Sequence, residues 1–392
     1  MILRVAVRAK DGKPLMPTKP SRARRWVKEG KAISKWNDLG IYYVQLVHDS
    51  SGTETQPISC GIDPGKSYSG FGVQSAEVTL FRGHAVLPFQ RVKERLGAVV
   101  TKKGRVIKNI RGRALQRRVR RGRRIERKIP FSERCHKQAR FNNRRQSKVP
   151  PSIKASRLME IRIATELCSI FPIQEIAYEV VKADVDMTSG RRGARSGKGF
   201  SPVMAGQYWC IKRLSELAPV RKMYGWQKDG NGTSQLRKYL GMEKAKDKKA
   251  QTPDSHAVDG VALASSSFVR FKRFETKREH GHCWSGQVKI TESPFRVIAR
   301  PGYFRRALHF DNASKGGTRK RKGGTVTPFG YRCGDKVQVT SKGTTFTGWV
   351  GGYTNTGKSK KLSVYDHNWK RLIQAGLRQV TLVRRSTKLC VV

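Results

Sequence analysis

Three short acidic segments carry the residue types that could do chemistry in this chain. They are CGIDPG at residues 60–65, EIAYEVV at residues 175–181 and PDSHAVDG at residues 253–260. Each places a carboxylate, that of Asp63, Glu179 or Asp259, at the end of a predicted strand or in the first turn of a predicted helix. Carboxylate oxygens in such positions can hold two hard cations against a phosphodiester. The pattern therefore indicates metal-dependent chemistry on phosphodiesters.

The first two acids are predicted to lie on strands. Asp63 follows an apolar run, and a second strand resumes at residues 70–73, which predicts a hairpin with an acid on its first strand. Glu179 interrupts a short, nearly all-apolar run of the kind found in strands buried on both faces. A carboxylate inside such a strand is costly unless it meets a metal or another cation.

The third acid is predicted to lie on a helix. Pro253 with Asp254 or Ser255 is typical of a helix start, and the apolar residues that follow define its buried face. His256 and Asp259 lie three residues apart and so share one side of that helix. His256 is therefore a candidate general base beside the acids.

Each acid also has an ordinary structural explanation when it is taken alone. An Asp before Pro-Gly is usually a turn residue, a strand Glu is often salt-bridged, and a His near an Asp on a helix is often a surface pair. The three segments together, in this order and each on a suitable element, are far less expected by chance. We interpret Asp63, Glu179, His256 and Asp259 as one candidate catalytic site.

The N-terminal segment is basic and has a distinctive pattern. Residues 13–31 read KPLMPTKPSRARRWVKEGK, between predicted strands at residues 2–8 and 41–47. A helix predicted over residues 21–29 carries Arg22, Arg24 and Arg25. Such a run is often only a solvated face, but the neighbouring elements are basic too, so we favour contact with an RNA backbone.

The most basic stretch of the chain lies at residues 102–148. Nine arginines occur between residues 111 and 127 with only three sizeable apolar residues, so a helix here cannot be stabilised by burying an apolar face. It is either organised by phosphates or a disordered basic arm. The nine are Arg111, Arg113, Arg117, Arg118, Arg120, Arg121, Arg123, Arg124 and Arg127.

The composition points to a polyanionic partner. There are 82 Lys and Arg against 28 Asp and Glu, a formal net charge of +54 that opposes folding unless a polyanion neutralises it. Nucleic acid supplies that much negative charge. Ribosomal or histone-like proteins seldom reach 392 residues and do not need acids in strands.

Other features of the sequence concern its compartment. No apolar run approaches the length of a membrane span, and the N-terminus lacks the apolar core of a signal peptide. The seven cysteines are scattered without a CxxC pair, which disfavours a zinc site or a disulfide framework. We expect a cytoplasmic, nucleoid-associated prokaryotic protein with no membrane partner.

With these motifs, the chain resembles the RuvC-like branch of the RNase H superfamily, and within it the transposon-encoded IscB and IsrB proteins, relatives of the type II CRISPR effector nuclease. The PLMP tetrapeptide, the Arg-dense segment after the first acid and the three acidic segments carry the resemblance over residues 1 to about 270. IscB has an HNH nuclease between the second and third RuvC segments, and that chemistry requires histidines. Since no His occurs between Glu179 and Ser255, the chain is more similar to IsrB.

The resemblance implies an α/β fold with an RNase H-like (RuvC) core split by insertions, a small N-terminal PLMP α+β domain, an Arg-rich bridge helix and a C-terminal small β-barrel. Short runs at residues 336–340, 344–353, 361–365 and 379–384 also favour a barrel of about five strands. A basic loop at residues 182–201 would replace the HNH insertion. The expected units are a PLMP domain at 1–55, RuvC segment I at 56–95, the bridge helix and basic linker at 96–150, RuvC segments II and III without HNH at 151–270, an RNA-interacting basic region at 271–325, and a β-barrel that reads the target-adjacent motif at 326–392.

The function that the resemblance implies is RNA-guided DNA cleavage, in which the RuvC site nicks the displaced, non-target strand. Asp63, Glu179 and Asp259 would hold two Mg²⁺ ions, for which Mn²⁺ can substitute. His256 would orient the attacking water or accept its proton. The partners would be a structured guide RNA (an omega RNA) and target double-stranded DNA with an adjacent motif, in a monomeric ribonucleoprotein.

Three other functions stay open on the sequence. A structure-selective junction resolvase would use the same acids without an RNA, so copurification of a discrete structured RNA would argue against it. A RuvC-only nuclease would cut both strands in turn, as TnpB relatives do. A guided DNA binder would not cleave, which the intact acids disfavour.

Overall fold

The computed structural model describes residues 3–88, 98–102, 105–110, 149, 151–181, 204–225, 231–276, 278–302, 326–356 and 359–392. Within these ranges the protein is a mixed α/β fold that is richer in strands than in helices. The nine arginines of residues 111–127 and the basic segment 182–201 lie outside the described residues. The bridge helix and the replacement loop therefore stay predictions.

Residues 5–46 form a four-stranded sheet with one helix packed on it. The order is β2-β1-β4-β3, with strands β1 (Val5–Arg8), β2 (Pro14–Thr18), β3 (Ala32–Trp36) and β4 (Tyr42–Leu46), and helix α1 (Pro20–Lys28) connects β2 to β3. The PLMP tetrapeptide is thus part of a strand. The sequence pattern missed β3, because this edge strand exposes Ile33 and Trp36 and shows little alternation of apolar and polar residues.

A seven-stranded sheet lies at the centre of the described protein. In spatial order its strands are β11 (Val220–Met223), β10 (Glu175–Glu179), β5 (Ile58–Asp63), β6 (Tyr68–Ser75), β7 (Thr79–Val86), β14 (Phe295–Ala299) and β20 (Cys390–Val391). Strands β5, β6 and β7 form an antiparallel meander. Strand β10 runs parallel to β5, and β11 parallel to β10. Parallel neighbours end at the same edge of a sheet, so the ends of β5 and β10 lie side by side.

Helices cover both faces of the central sheet. On one face, α2 (Pro151–Cys168) and α3 (Met204–Leu214) pack against large side chains of the strands. On the other face lies α5 (His256–Ser265), with the short α4 (Thr233–Tyr239) beside it. Among the helices that the structure describes, none combines the length and the apolar character that crossing a membrane requires.

Small residues bring α5 very close to the sheet. A Cβ atom added at Gly61 would lie 2.0 Å from the carbonyl oxygen of Gly260. One added at Gly260 would lie 2.5 Å from the backbone carbonyl carbon of Phe71. Such distances leave no room for a side chain, so both positions require glycine. The strand that ends in Asp63 therefore lies backbone against backbone with the helix that carries Asp259.

The remaining strands form three smaller units. Strands β8 (Ala98–Lys102) and β9 (Arg105–Ile110) pair with each other, as do β12 (Val269–Glu275) and β13 (His280–Gly286). A five-stranded sheet of order β18-β17-β16-β15-β19 has its own apolar core. Its strands are β15 (Lys336–Ser341), β16 (Thr344–Thr356), β17 (Ser359–Tyr365), β18 (Arg371–Gly376) and β19 (Val380–Arg384). The sequence indicated β15, β16, β17 and β19, but it did not indicate β18 or the strands of the two pairs β8-β9 and β12-β13.

Candidate metal centre

The three acids identified in the sequence meet at one edge of the central sheet. Asp63 ends β5, Glu179 ends β10, and Asp259 lies in the first turn of α5. Ligand atoms of Asp63, His256 and Asp259 all lie within 4.8 Å of one another. The Nδ1 atom of His256 lies 3.8 Å from Oδ2 of Asp63. Side chains from distant parts of the chain thus form one cluster.

Glu179 joins this cluster through Asp63. The two carboxyl groups are close enough to share a hydrogen bond. Burial, followed by the adjacent charges of Asp63 and Asp259, raises the pKa of Glu179 to about 8. Carboxylates this close repel each other unless a proton or a cation lies between them. Glu179 therefore holds a proton near neutral pH that a divalent cation would displace.

Asp259 is buried and paired with two cations. The Nε atom of Arg237 lies 2.6 Å from Oδ1, and Nζ of Lys244 contacts Oδ2. Burial and Asp63 raise the pKa of Asp259, whereas Lys244 and Arg237 act against the rise. Because an unpaired buried carboxylate is costly, the two cations favour the charged form that a metal ion needs. The sequence did not single out either cation, since both are common residue types that lie outside the three acidic segments.

His256 lies in an aromatic pocket with one nitrogen facing Asp63. Its ring centroid is 5.4 Å from those of Tyr68 and His84. Its Nε2 atom lies 3.1 Å from the carbonyl oxygen of Lys248. Because a carbonyl oxygen only accepts hydrogen bonds, we assign the proton to Nε2, which leaves Nδ1 to accept a proton next to Asp63. This is the geometry expected of a general base.

His84 is a second histidine at the site that sequence reasoning missed. It is buried on β7, and its Nδ1 atom lies 2.9 Å from Oγ of Ser255, the residue that precedes α5. Burial, and to a lesser extent His256, lowers the pKa of His84 to about 4, so the ring is neutral at ordinary pH. His84 therefore positions the start of α5. One histidine inside a strand gives no sequence signal for such a role.

A buried ion pair on the opposite face of the sheet holds the turn that follows the first acid. Nη1 of Arg157 lies 2.7 Å from Oε2 of Glu160 and donates to the hydroxyl of Tyr178 at 3.1 Å. Nη2 of Arg157 donates to the carbonyl oxygen of Gly65 at 3.0 Å. Gly65 follows the first acid by two residues, and Tyr178 directly precedes the second. One guanidinium group thus connects the ends of both acid-bearing strands.

The donor set fits a hard divalent cation. Three carboxylates converge beside the imidazole of His256, and carboxylate oxygens are preferred ligands of Mg²⁺ and Mn²⁺. Burial, followed by the charge of Asp63, raises the pKa values of Glu179 and Asp259, and a bound cation would oppose both effects. Such a donor set could support metal-assisted hydrolysis.

The basic residues predicted to bind nucleic acid are only partly described. Arg22, Arg24 and Arg25 lie on α1 with exposed side chains. The Nε atom of Arg25 is 3.9 Å from a carboxylate oxygen of Glu29, a distance at which an exposed pair contributes little. These arginines present positive charge to solvent, and their contact with RNA stays a prediction.

The protein is thus a mixed α/β fold with a candidate metal centre, and one family model matches its sequence. Residues 5–199 match the family model of the RRXRR protein, a family associated with IscB- and IsrB-type proteins. The match covers 195 of the 392 residues, and includes Asp63 and Glu179 but not His256 or Asp259. It is consistent with an IscB-like nuclease. No curated protein matches the chain.

Proposed function

We propose that the protein is an RNA-guided DNA endonuclease that nicks the displaced, non-target strand at a two-metal RuvC-type site. The convergence of Asp63, Glu179, His256 and Asp259 at one sheet edge is the observation that carries the proposal. The match to a family associated with IscB- and IsrB-type proteins supports it. The net charge of +54 supports nucleic acid as the partner.

The central sheet would be an RNase H-like core. Its meander β5-β6-β7 is extended by the parallel strands β10 and β11, and helices cover both faces. This topology supports the assignment because it sets two acids on adjacent parallel strands and the third on a helix packed against them. A core split by insertions can assemble one site in this way.

The side chains of the site have distinct roles in this proposal. Asp63, Glu179 and Asp259 would hold two Mg²⁺ ions, or Mn²⁺ in their place, and the ions would supply Lewis-acid activation of water and charge stabilisation at the leaving oxygen. His256 accepts the proton of the attacking water at Nδ1, while its Nε2 atom stays hydrogen-bonded to the carbonyl oxygen of Lys248. Arg237 and Lys244 keep Asp259 charged.

The other parts of the chain would bind the nucleic acids. A structured guide RNA, an omega RNA, would contact α1 and the arginines of residues 111–127, and the five-stranded C-terminal sheet would read the motif next to the target. Base pairing with the guide would select the target strand. The protein would act as a monomeric ribonucleoprotein.

The test is cleavage of a supercoiled plasmid that carries a site matching the copurified RNA. With Mg²⁺, the protein–RNA complex should produce open circles with the break in the strand not paired with the guide. Linear product would favour the alternative in which one RuvC centre cuts both strands in turn. Cleavage of branched DNA without RNA would favour a junction resolvase, and a break in the guide-paired strand would contradict the proposal.

A further inference from the structure

A ladder of four aromatic rings lies on the hairpin β12-β13 and the end of α4. Tyr239 stacks on Trp284, with ring centroids 4.1 Å apart and planes 11° apart. The ring centroid of Phe271 lies 5.2 Å from that of Trp284. His282 stacks on Phe271, with ring centroids 5.3 Å apart and ring planes 11° apart. We call Tyr239, Trp284, Phe271 and His282 the aromatic ladder.

Strand register explains why these rings meet. Phe271 pairs with Trp284 across the hairpin, and Arg273 pairs with His282. Alternate residues of a strand point to the same face, so the three rings and Arg273 share one face of the hairpin. Tyr239, the last residue of α4, adds the fourth ring from outside the hairpin.

The ladder is anchored at its centre and open at its ends. Trp284 packs against the apolar cluster under α5, which fixes its position. Tyr239 is 44% exposed, and His282 is exposed as well. In a hydrophobic core, both ends of an aromatic stack are normally covered by other side chains. A stack that binds another flat group must instead expose its terminal rings to solvent.

The surroundings of the ladder are positively charged. Residues 269–286 contain five Lys or Arg and two Glu. Arg270, Lys272 and Arg273 have exposed side chains. Basic side chains beside stacked rings are the combination that binds single-stranded nucleic acid, because the charges hold phosphates while the rings stack with bases.

The ladder is connected to the candidate metal centre through α4. Tyr239 follows Arg237 by two residues on the same short helix, and Arg237 pairs with Asp259. A nucleic-acid strand bound on the ladder would therefore reach the metal centre within a few nucleotides. Bases inside a duplex are already stacked on one another, so the ladder suits unpaired bases only.

We propose that the aromatic ladder binds unpaired bases of the DNA strand that the metal centre cuts. This inference rests on the proposed function and adds a substrate-binding surface to it. It differs from the expectation that residues 271–325 contact RNA, because α4 stacks on the hairpin through Tyr239 and pairs with Asp259 through Arg237. Since every base has a flat face, the ladder would hold the strand without reading its sequence.

The experiment compares two oligodeoxynucleotides of equal length and charge, one with normal bases and one with abasic sites throughout. Both are titrated against the full protein–RNA complex in EDTA, so that nothing is cut. The ratio of the two dissociation constants reports base stacking and cancels the electrostatic attraction of this basic chain. For the wild-type complex we expect a preference for normal bases of about tenfold or more.

Variants at the open ends of the ladder test it without disturbing the core. Tyr239→Ala and His282→Ala should each lower the preference several-fold, whereas Tyr239→Phe should keep it. The matched control is Tyr208→Ala, which removes a 53% exposed tyrosine from α3 on the other face of the sheet. A preference that is unchanged in both ladder variants would overturn the inference.

Two further outcomes separate this inference from the proposed function. If an RNA oligonucleotide of the same sequence binds the ladder in preference to DNA, the surface belongs to the guide and the inference is wrong. If the ladder variants lose base-dependent binding while the wild-type complex never cleaves plasmid DNA, the proposed nuclease fails and the ladder stands as a single-strand binding surface.

Discussion

The two faces of the central sheet are built in opposite ways. Under α2 and α3, large buried side chains such as Ile62, Phe71 and Tyr178 fill the space between helix and strand. Under α5, glycines such as Gly61 and Gly260 let the helix backbone touch the sheet. The first face stabilises the fold by apolar burial, and the second brings carboxylates on different elements within reach of one cation.

The alternation of a strand produces this division. Successive residues of β5 point to opposite faces, so Gly61 and Asp63 lie on the α5 face, whereas Ile62 lies on the α2 face. The α2 face also contains the buried pair Arg157–Glu160, in which Arg157 donates a hydrogen bond to the carbonyl oxygen of Gly65 after β5. The acids therefore depend on both faces, because the α5 face brings them close together and the α2 face supports the turn after Asp63.

Removal of one acid should have the largest effect on cleavage. Asp63→Ala, Glu179→Ala or Asp259→Ala should each lower the nicking rate by about a thousandfold or more, because the remaining groups could not hold the two proposed ions. RNA binding should stay near the wild-type level. The matched control is Glu175→Gln, which alters an acid at the other end of β10 that pairs with Arg221 at 2.9 Å. An acid whose variant still nicks with Mg²⁺ present does not belong to the site.

A methyl group between α5 and the sheet should have the next largest effect. In Gly260→Ala the new Cβ would lie 2.5 Å from the backbone of Phe71, so the helix must move and carry Asp259 with it. We expect nicking to fall about a hundredfold, since a displacement near 1 Å has that effect on a catalytic group. Alanine is the better helix former, so propensity cannot explain a loss.

The control for the glycine variant lies on the opposite face. Ile163→Ala opens a cavity beside α2 and should lower the free energy of unfolding by about 2–5 kcal/mol. Below its unfolding temperature it should nick within a few-fold of the wild-type rate. If Ile163→Ala impairs cleavage as much as Gly260→Ala, the proposed division between the two faces is wrong.

These residues show how far the sequence could predict the site. Asp63, Glu179, His256 and Asp259 were visible because each carboxylate interrupts an apolar pattern or begins one. Their cationic and histidine neighbours Lys244 and His84 were not, because these are common residue types whose role depends on tertiary contacts. The close approach at Gly61 and Gly260 was hidden for the same reason.

The buried ion pair should affect stability strongly and cleavage moderately. Arg157→Met leaves Glu160 buried without its cation and should lower the free energy of unfolding by about 3–5 kcal/mol. The double variant Arg157→Met with Glu160→Met should recover much of that loss. It should still nick about tenfold more slowly than wild type, because the carbonyl of Gly65 lacks its donor. If the double variant recovers both the wild-type denaturant midpoint and the wild-type nicking rate, the ion pair has only a structural role.

The smallest expected effect is a pH-dependent change in the melting temperature of the metal-free protein when Glu179 is replaced. Since the folded-state pKa of Glu179 is about 8 and its ordinary value is 4.5, the folded protein binds more protons than the unfolded chain between these values. Stability therefore falls as pH rises through that window. Above pH 8, metal-free Glu179→Gln should melt about 2–4 °C higher than wild type, and near pH 4 the difference should vanish. A higher melting temperature for wild type above pH 8 would contradict the assignment.

The shared metal centre is tested most directly by Mn²⁺ binding to the RNA-free protein, measured from the electron paramagnetic resonance signal of the unbound ion. Wild type and Glu175→Gln should show the same saturable site. Asp63→Asn, Glu179→Gln and Asp259→Asn should each lose most of that binding, because the three carboxylates form one centre. Wild-type affinity in any of these three variants, or an equal loss in Glu175→Gln, would show that the three carboxylates do not bind metal together.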